Sequence, residues 1–482
     1  MIDPRPILLV LGTLLSGLGL AMFLPALIAL SINSQDWQFF VFSAFITIFI
    51  GAGLAISNYD REGNLNLKQA FLMTTLVWLI LPAFAAIPFV LSELSLSFTD
   101  AFFEAMSGLT TTGSTVITEL DTAPPGILIW RSILQWLGGI GIIITAVAVL
   151  PMLHVGGMQL FRMESSDTSE KILPRAAQIS GAISGLYFGL TLFCFIALLL
   201  AGVSPFDAIA HAMTTIATGG FSTSDNSIGQ FDNALVDTII IFGMISGSLP
   251  FVLYLQILRG KTLALWKDSQ VRAFLGTFII FVIAVNSWLI IYKDWSFYDA
   301  LRYGTFNIIS MMTGTGFSTT DFNTWGSFAV SVFFMVMFVG GCAGSTSCGV
   351  KIFRFQVLYQ TIINQIRQVN QPNGIFHPKY NGNPLTPSVI SSVTSFLFFF
   401  FTCFVILSLG VSATGVDMIT ATSGAGTALA NVGPGLGNII GPSGTFQPLP
   451  DLAKWLLAFG MLLGRLELFT VLVLFTPAFW RA

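Results

Sequence analysis

Ten stretches of this sequence are apolar for roughly the 20 residues that a helix needs to cross the hydrocarbon core of a bilayer. They run 7–30, 37–57, 69–92, 126–153, 177–202, 233–258, 271–292, 326–339 with a broken continuation, 388–411 and 452–478. Four shorter apolar stretches lie near 99–110, 205–217, 298–312 and 417–428. At about 1.5 Å per residue each of these reaches only part-way through a membrane. Composition agrees, because 9% of the 482 residues are charged, against about 25% in a soluble domain. A net charge of −3 gives a nucleic acid nothing to bind. The first run is longer than the roughly 7–15 residues of a signal-peptide core, and Asp3 offsets Arg5 ahead of it, so it reads as a retained span. Cys194, Cys342, Cys348 and Cys403 show neither zinc-ligand spacing nor a disulfide framework.

Lysine and arginine orient the spans, because they collect in cytosolic loops. With the N-terminus inside, the inner group is Arg5, Arg61, Lys68, Arg162, Lys171, Arg175, Arg259, Lys261, Lys267, Arg272, Lys351, Arg354, Arg367, Lys379 and Arg481. Only Arg131, Lys293, Arg302, Lys454 and Arg465 fall elsewhere. Dropping any one span scatters this bias. The C-terminus is then cytosolic too, and the four short stretches start and end on the outer side as re-entrant half-helices.

Those stretches are copies of one another. They read Asp100-AFFEAMSGLTTTGSTV, Asp207-AIAHAMTTIATGGFSTSD, Asp299-ALRYGTFNIISMMTGTGFSTTD and Asp417-MITATSGAGTALANVGPGLG. Aligned on Gly113, Gly220, Gly316 and Gly433, they recur at separations of 107, 96 and 117 residues. Gly435 and Gly437 compete with Gly433 for the fourth alignment. The unit is span, half-helix, glycine-rich loop, span, used four times as parallel repeats. Each Asp is expected to cap its half-helix. Irregular backbone at membrane depth is tolerated where it lines a water-filled cavity, so four such loops point to a shared axis. Small residues leave backbone carbonyls and Thr hydroxyls as ligands, which suits a cation stripped of water. The half-helices would aim their partly negative C-terminal ends at it.

These four loops, with the two extra N-terminal spans, resemble the Trk/Ktr/HKT superfamily of potassium transporters, within it the bacterial Trk-type uptake subunits. The resemblance implies an all-α integral membrane protein with four pseudo-fourfold span–pore-helix–filter-loop–span repeats around one pore. The divisions would be 1–67 for the extra spans, then repeats 68–155, 156–262, 263–380 and 381–482. It implies a K+ filter made by Thr111, Thr112, Gly113 and Ser114; Thr218, Gly219, Gly220 and Phe221; Gly314, Thr315, Gly316 and Phe317; and Asn431, Val432, Gly433 and Pro434. K+ would be the permeant ion, Rb+ its surrogate, with no organic cofactor. The implied partners are a second copy of the chain, the lipid bilayer of a bacterial inner membrane, and a TrkA-like cytosolic nucleotide-binding ring.

Arg465 stands mid-span in LLAFGMLLGRLELFTVL, too deep to reach water. It either pairs with a carboxylate on another span or places a positive charge in the pore, and the resemblance favours the pore. The eighth span breaks into Gly340-GCAGSTSCG-Val350, which is too rich in glycine for a helix. Gly340, Gly341, Gly344, Ser345 and Gly349 would form a pore-blocking loop with Arg465, and Lys351 and Arg354 would anchor its exit at the cytosolic face. Cys342 and Cys348 read as small residues there. His211 reads as a buried structural residue, and Glu104 as the partner of a neighbouring repeat. The function expected is potassium uptake through a gated, carbonyl-lined pore. A secondary cation symporter coupled to Na+ or H+ is the alternative, though few carboxylates lie inside the spans. No nucleophile–base pair suggests an enzyme.

Overall fold

The few polar residues inside each apolar run decide where its helix starts, bends and stops. The computed structural model describes residues 3–59, 66–145 and 172–481. Arg61, His154, Arg162, Lys171, the end of the 126–153 run and the 155/156 repeat boundary lie outside them, and the Arg175 side chain is not described. In chain order the principal helices are α1 (Arg5–Ser31), α2 (Asp36–Ser57) and α3 (Leu67–Leu91). Then come α4 (Phe98–Leu109), α5 (Pro125–Ile144), α6 (Ile172–Leu200), α7 (Pro205–Ile216), α8 (Ala234–Ser248), α9 (Phe251–Leu258) and α10 (Ser269–Tyr292). The last six are α11 (Thr305–Thr313), α12 (Ser327–Val336), α13 (Ile352–Asn370), α14 (Pro387–Ser412), α15 (Met418–Ala430) and α16 (Asp451–Arg465). Strand is confined, among the described residues, to the hairpin Lys379–Tyr380/Asn383–Pro384.

Among the described residues seven helices are long and apolar enough to cross a membrane, and the chain is a multi-pass membrane protein. The expected spans 233–258 and 452–478 are not straight. The first bends by 94° between α8 and α9, and the second by 107° between α16 and Phe469–Phe475. Pro250 ends α8 because it has no N–H and crowds the preceding turn. The second break falls at Glu467 and Leu468, both at positive φ. Outward-facing residues such as Phe49, Phe193, Ile280 and Ile406 are exposed and apolar, as a lipid-facing surface requires.

α1 and α2 form a hairpin at the edge, where a β-carbon on Gly12 would stand 2.5 Å from the Gly51 carbonyl oxygen. Small residues allow such close helix approach in a bilayer. The half-helices and second spans of the four repeats form a ring. α5 packs on α7, α8 on α11 and α16 on α4, while Met337 and Phe338 after α12 pack on α15 at Gly426. The second span of each repeat thus leans on the half-helix of the next, and the fourth closes on the first.

Candidate functional site

Each half-helix begins at a cap, but the capping residue differs from the expected aspartate in three cases. Ser97, Ser204 and Ser296 accept the backbone N–H of Asp100, Asp207 and Asp299, and each hydroxyl donates to that aspartate. The signature is a Ser-x-x-Asp at each of these helix starts, legible in the sequence. Only Asp417 caps directly, accepting from Thr420, and those hydrogen bonds hold its carboxyl below the usual range. From the cap to the left-handed residue that ends the half-helix, three repeats are equal in length: Ser97 to Thr111, Ser204 to Thr218 and Asp417 to Asn431. The third, Ser296 to Gly314, is longer by four. Four extra residues overshoot a turn of about 3.6, and a π-turn at Ala300–Gly304 absorbs the excess.

The loops share one backbone path. Thr111, Thr218, Gly314 and Asn431 are left-handed at φ 51°, 50°, 71° and 50°, and two residues on Gly113, Gly220, Gly316 and Gly433 have φ 90°, 79°, 83° and 111°. Three of the first set are not glycine, and threonine in that region is strained, as backbone at functional sites often is. A β-carbon on Gly113 would lie 2.3 Å from the Gly219 carbonyl oxygen, on Gly220 1.8 Å from that of Thr315, on Gly316 2.1 Å from that of Val432, and on Gly433 2.8 Å from that of Thr112. Each glycine therefore seats the carbonyl that precedes the equivalent glycine of the next repeat, and the fourth contact returns to the first repeat. In the fourth loop Gly433 holds this place. Gly435 and Gly437 pack instead against Ile440 and Ile419.

Side chains behind the loops fix this ring. Glu104 accepts from Thr115 and from the Val116 N–H (2.9 Å), and its partner is Arg131 of its own repeat, at 2.7 Å, rather than a neighbouring repeat. Arg131 then reaches across to the Ser222 carbonyl and lies 4.1 Å from the centre of the Phe221 ring. At the same helical position His211 bridges the Asp207 carbonyl and the Ser222 hydroxyl, and Asn307 donates to Thr319. Gln135 donates to the Gly219 carbonyl (2.6 Å) and accepts the Phe221 N–H (3.0 Å). Ser114 donates to the Gly433 carbonyl, Asn431 to the Thr112 hydroxyl, and Ser310 to the Phe317 carbonyl. Pro434 abuts Gly316. Arg131 and Gln135, four residues apart on a membrane span, were the signal for this buttress.

Beneath the half-helices the eighth span gives way to a loop. Gly340 N–H donates to the Val350 carbonyl and Gly341 N–H to the Ser347 hydroxyl, and Gly344 and Gly349 are left-handed. Ser345 turns back on the Cys342 carbonyl. Thr346 and Ser347 donate to the last carbonyls of two half-helices, Ile216 (3.0 Å) and Thr313 (2.6 Å), while Cys348 lies 3.6 Å from Thr111. The carbonyls of Gly247 and Ser248, freed where α8 stops, accept from Thr346 and Cys342. From the fourth repeat Arg465 donates to the Thr346 carbonyl, Cys348 Sγ (2.7 Å) and the Gly138 carbonyl. Among the described residues no carboxylate pairs with it. Lys351 and Arg354 do not reach a surface. Both are buried, Lys351 on the Ser347 carbonyl and Arg354 on Glu467 at the break after α16.

The family model described as cation transport protein, TrkH, matches residues 37–482. The chain is 45% identical to the Trk system potassium uptake protein TrkI of Halomonas elongata, over 99% of this chain and 97% of that protein. It is 39% identical to the Trk system potassium uptake protein TrkH of Escherichia coli, over 99% of each. The crystal structure of the potassium transporter TrkH from Vibrio parahaemolyticus superposes with a TM-score of 0.92 at 36% identity, covering 100% of both chains.

Proposed function

The chain belongs to the TrkH family of cation transport proteins, and from that premise we propose that it is a potassium uptake pore. The observation that carries this reading is the ring of four glycines and four carbonyls, closed on itself from Gly113 round to Gly433. Oxygen dipoles on such a ring replace the hydration shell of a monovalent cation, and four half-helix C-termini add partial negative charge below. The filter is the set Thr111–Ser114, Thr218–Phe221, Gly314–Phe317 and Asn431–Pro434, with the repeats divided as the sequence suggests. K+ enters down the membrane potential, which supplies about 2.3 kcal/mol per charge per 100 mV.

The loop 340–349, with Arg465, is the gate. It touches the half-helix ends of three repeats and is held from the fourth by Arg465, so closure engages the whole ring at once. A TrkA-like nucleotide-binding ring on the cytosolic side of a homodimer would open it, by as much as its affinities for the two states differ. The membrane is the bacterial inner membrane, with both termini cytosolic. The symport reading is weaker, because Glu104, Asp237 and Glu467 are each held by an arginine. The test is flux of K+, Rb+, Na+ and Li+ through the purified chain in liposomes. Currents reversing at the K+ Nernst potential support a pore, whereas a reversal potential that moves with the Na+ or H+ gradient refutes it.

A further inference from the structure

At the mouth of α9, α10 and the hairpin lies a cavity of about 810 Å³. Four of the residues lining it, Lys261, Lys267, Arg272 and Lys379, are cationic and exposed. Among the described residues none of the four has an ion-pair partner. The single carboxylate in the wall, Asp268, is committed to capping α10 through the N–H groups of Gln270 and Val271. Beside it Ser269, the first residue of that 24-residue helix, keeps a buried hydroxyl oxygen without a protein partner. The hairpin is tied to the same helix start, Asn381 accepting the Ser269 N–H at 3.2 Å. Four exposed cations around one cavity, with a spare hydroxyl among them, are what a phosphate group needs.

We propose that this cavity binds a phosphate-bearing anion, and that the anion is the headgroup of an acidic phospholipid. The surroundings favour lipid over a soluble phosphate. Leu258 and Trp266 flank the cavity and are 73% and 68% exposed, and exposed tryptophan marks the level of the headgroups. Basic pockets between spans at that level take acidic headgroups. The walls also grip the loop beneath the ring: Phe251, which opens α9, donates to the Gly344 carbonyl, and Gln270 accepts the Ala343 N–H, both at 3.0 Å. A bound headgroup joins these two walls and braces the loop. None of this depends on which ion the pore carries.

The test compares the full chain with Lys261→Gln/Lys267→Gln/Arg272→Gln, and with Arg272→Gln alone should the triple variant fold poorly. Native mass spectrometry follows exchange into detergent doped with phosphatidylglycerol or phosphatidylcholine. Each cation near an anionic surface contributes about fivefold, so the triple variant should hold phosphatidylglycerol roughly a hundredfold more weakly, with phosphatidylcholine held by neither protein. A second arm measures the melting temperature in inorganic phosphate. A rise in the parent that the variants lose, without lipid retention, assigns the site to a soluble phosphate and overturns the lipid assignment. Equal retention by parent and variants, or no response in either arm, overturns the site itself.

Discussion

Alanine scanning of the four ring glycines turns their geometry into an ordered set of outcomes. Alanine adds only a β-carbon, and real β-carbons do not approach a non-bonded atom closer than about 3.0 Å. The distance available before the facing carbonyl oxygen is 1.8 Å at Gly220, 2.1 Å at Gly316, 2.3 Å at Gly113 and 2.8 Å at Gly433. The carbonyl must therefore retreat furthest for Gly220→Ala, and scarcely at all for Gly433→Ala. Neither party yields easily, since the neighbouring loop is pinned from behind. In the proposed filter a displaced carbonyl is a lost ligand, and a loss of about 1.4 kcal/mol of discrimination is tenfold, or about 59 mV in the reversal potential of a monovalent ion. Gly220→Ala should lower the K+/Na+ permeability ratio by at least about tenfold, with Gly316→Ala and Gly113→Ala following in that order. Gly433→Ala should keep most of its selectivity but melt earlier, because φ 111° is strained for any side chain, by about 1–2 kcal/mol. Bi-ionic reversal potentials in planar bilayers measure the ratio. Four equal ratios, or an order with Gly433→Ala worst, would refute the ring as the selective element.

Three further outcomes test the loop and its anchors. Arg465→Ala removes the donor shared by the Thr346 and Gly138 carbonyls and a fixed positive charge, so Rb+ uptake into liposomes should rise with the K+/Na+ ratio unchanged; a slower, less stable protein would assign Arg465 to packing alone. Shortening Gly344–Gly349 should leave a pore that conducts without partner or nucleotide, and a folded variant conducting no faster than its parent removes the gate assignment. Glu467→Gln removes the carboxylate paired with the buried Arg354 guanidinium, a loss of up to about 3–5 kcal/mol, which a thermal melt in detergent reads as a large fall; an unchanged melt shows that the pair is not closed in the resting protein.

The half-helices and their fourfold recurrence were legible because the membrane enforces them: a short apolar stretch that must return to the same side has few folds open to it. The ring register was only partly legible. Glycine spacing aligned Gly433 but left Gly435 and Gly437 in competition, and what separates them is a contact of Gly433 with Thr112, which lies in the first repeat and far from it along the chain. Hydropathy missed the breaks at Pro250 and Glu467, since it reads length and polarity and not the carbonyls that a neighbouring loop can satisfy. It also counted Arg131, Arg302 and Lys454 as exceptions to the charge bias, when all three are held by carboxylates within the fold. The expected surface anchors Lys351 and Arg354 failed for the converse reason: a basic residue after an apolar run looks like a membrane exit until its partner is found inside.

The one-way closure of the ring also sets an order of assembly. A ribosome delivers the repeats singly, and each completes its neighbour rather than itself. Until the last repeat emerges, the Thr112 carbonyl has no Gly433 beside it, the Ser114 hydroxyl lacks its acceptor, and Asp100 lacks Lys454. The first loop to be made is thus the last to be finished, and a chain cut short before the fourth repeat carries an open arc where the full chain has a closed ring.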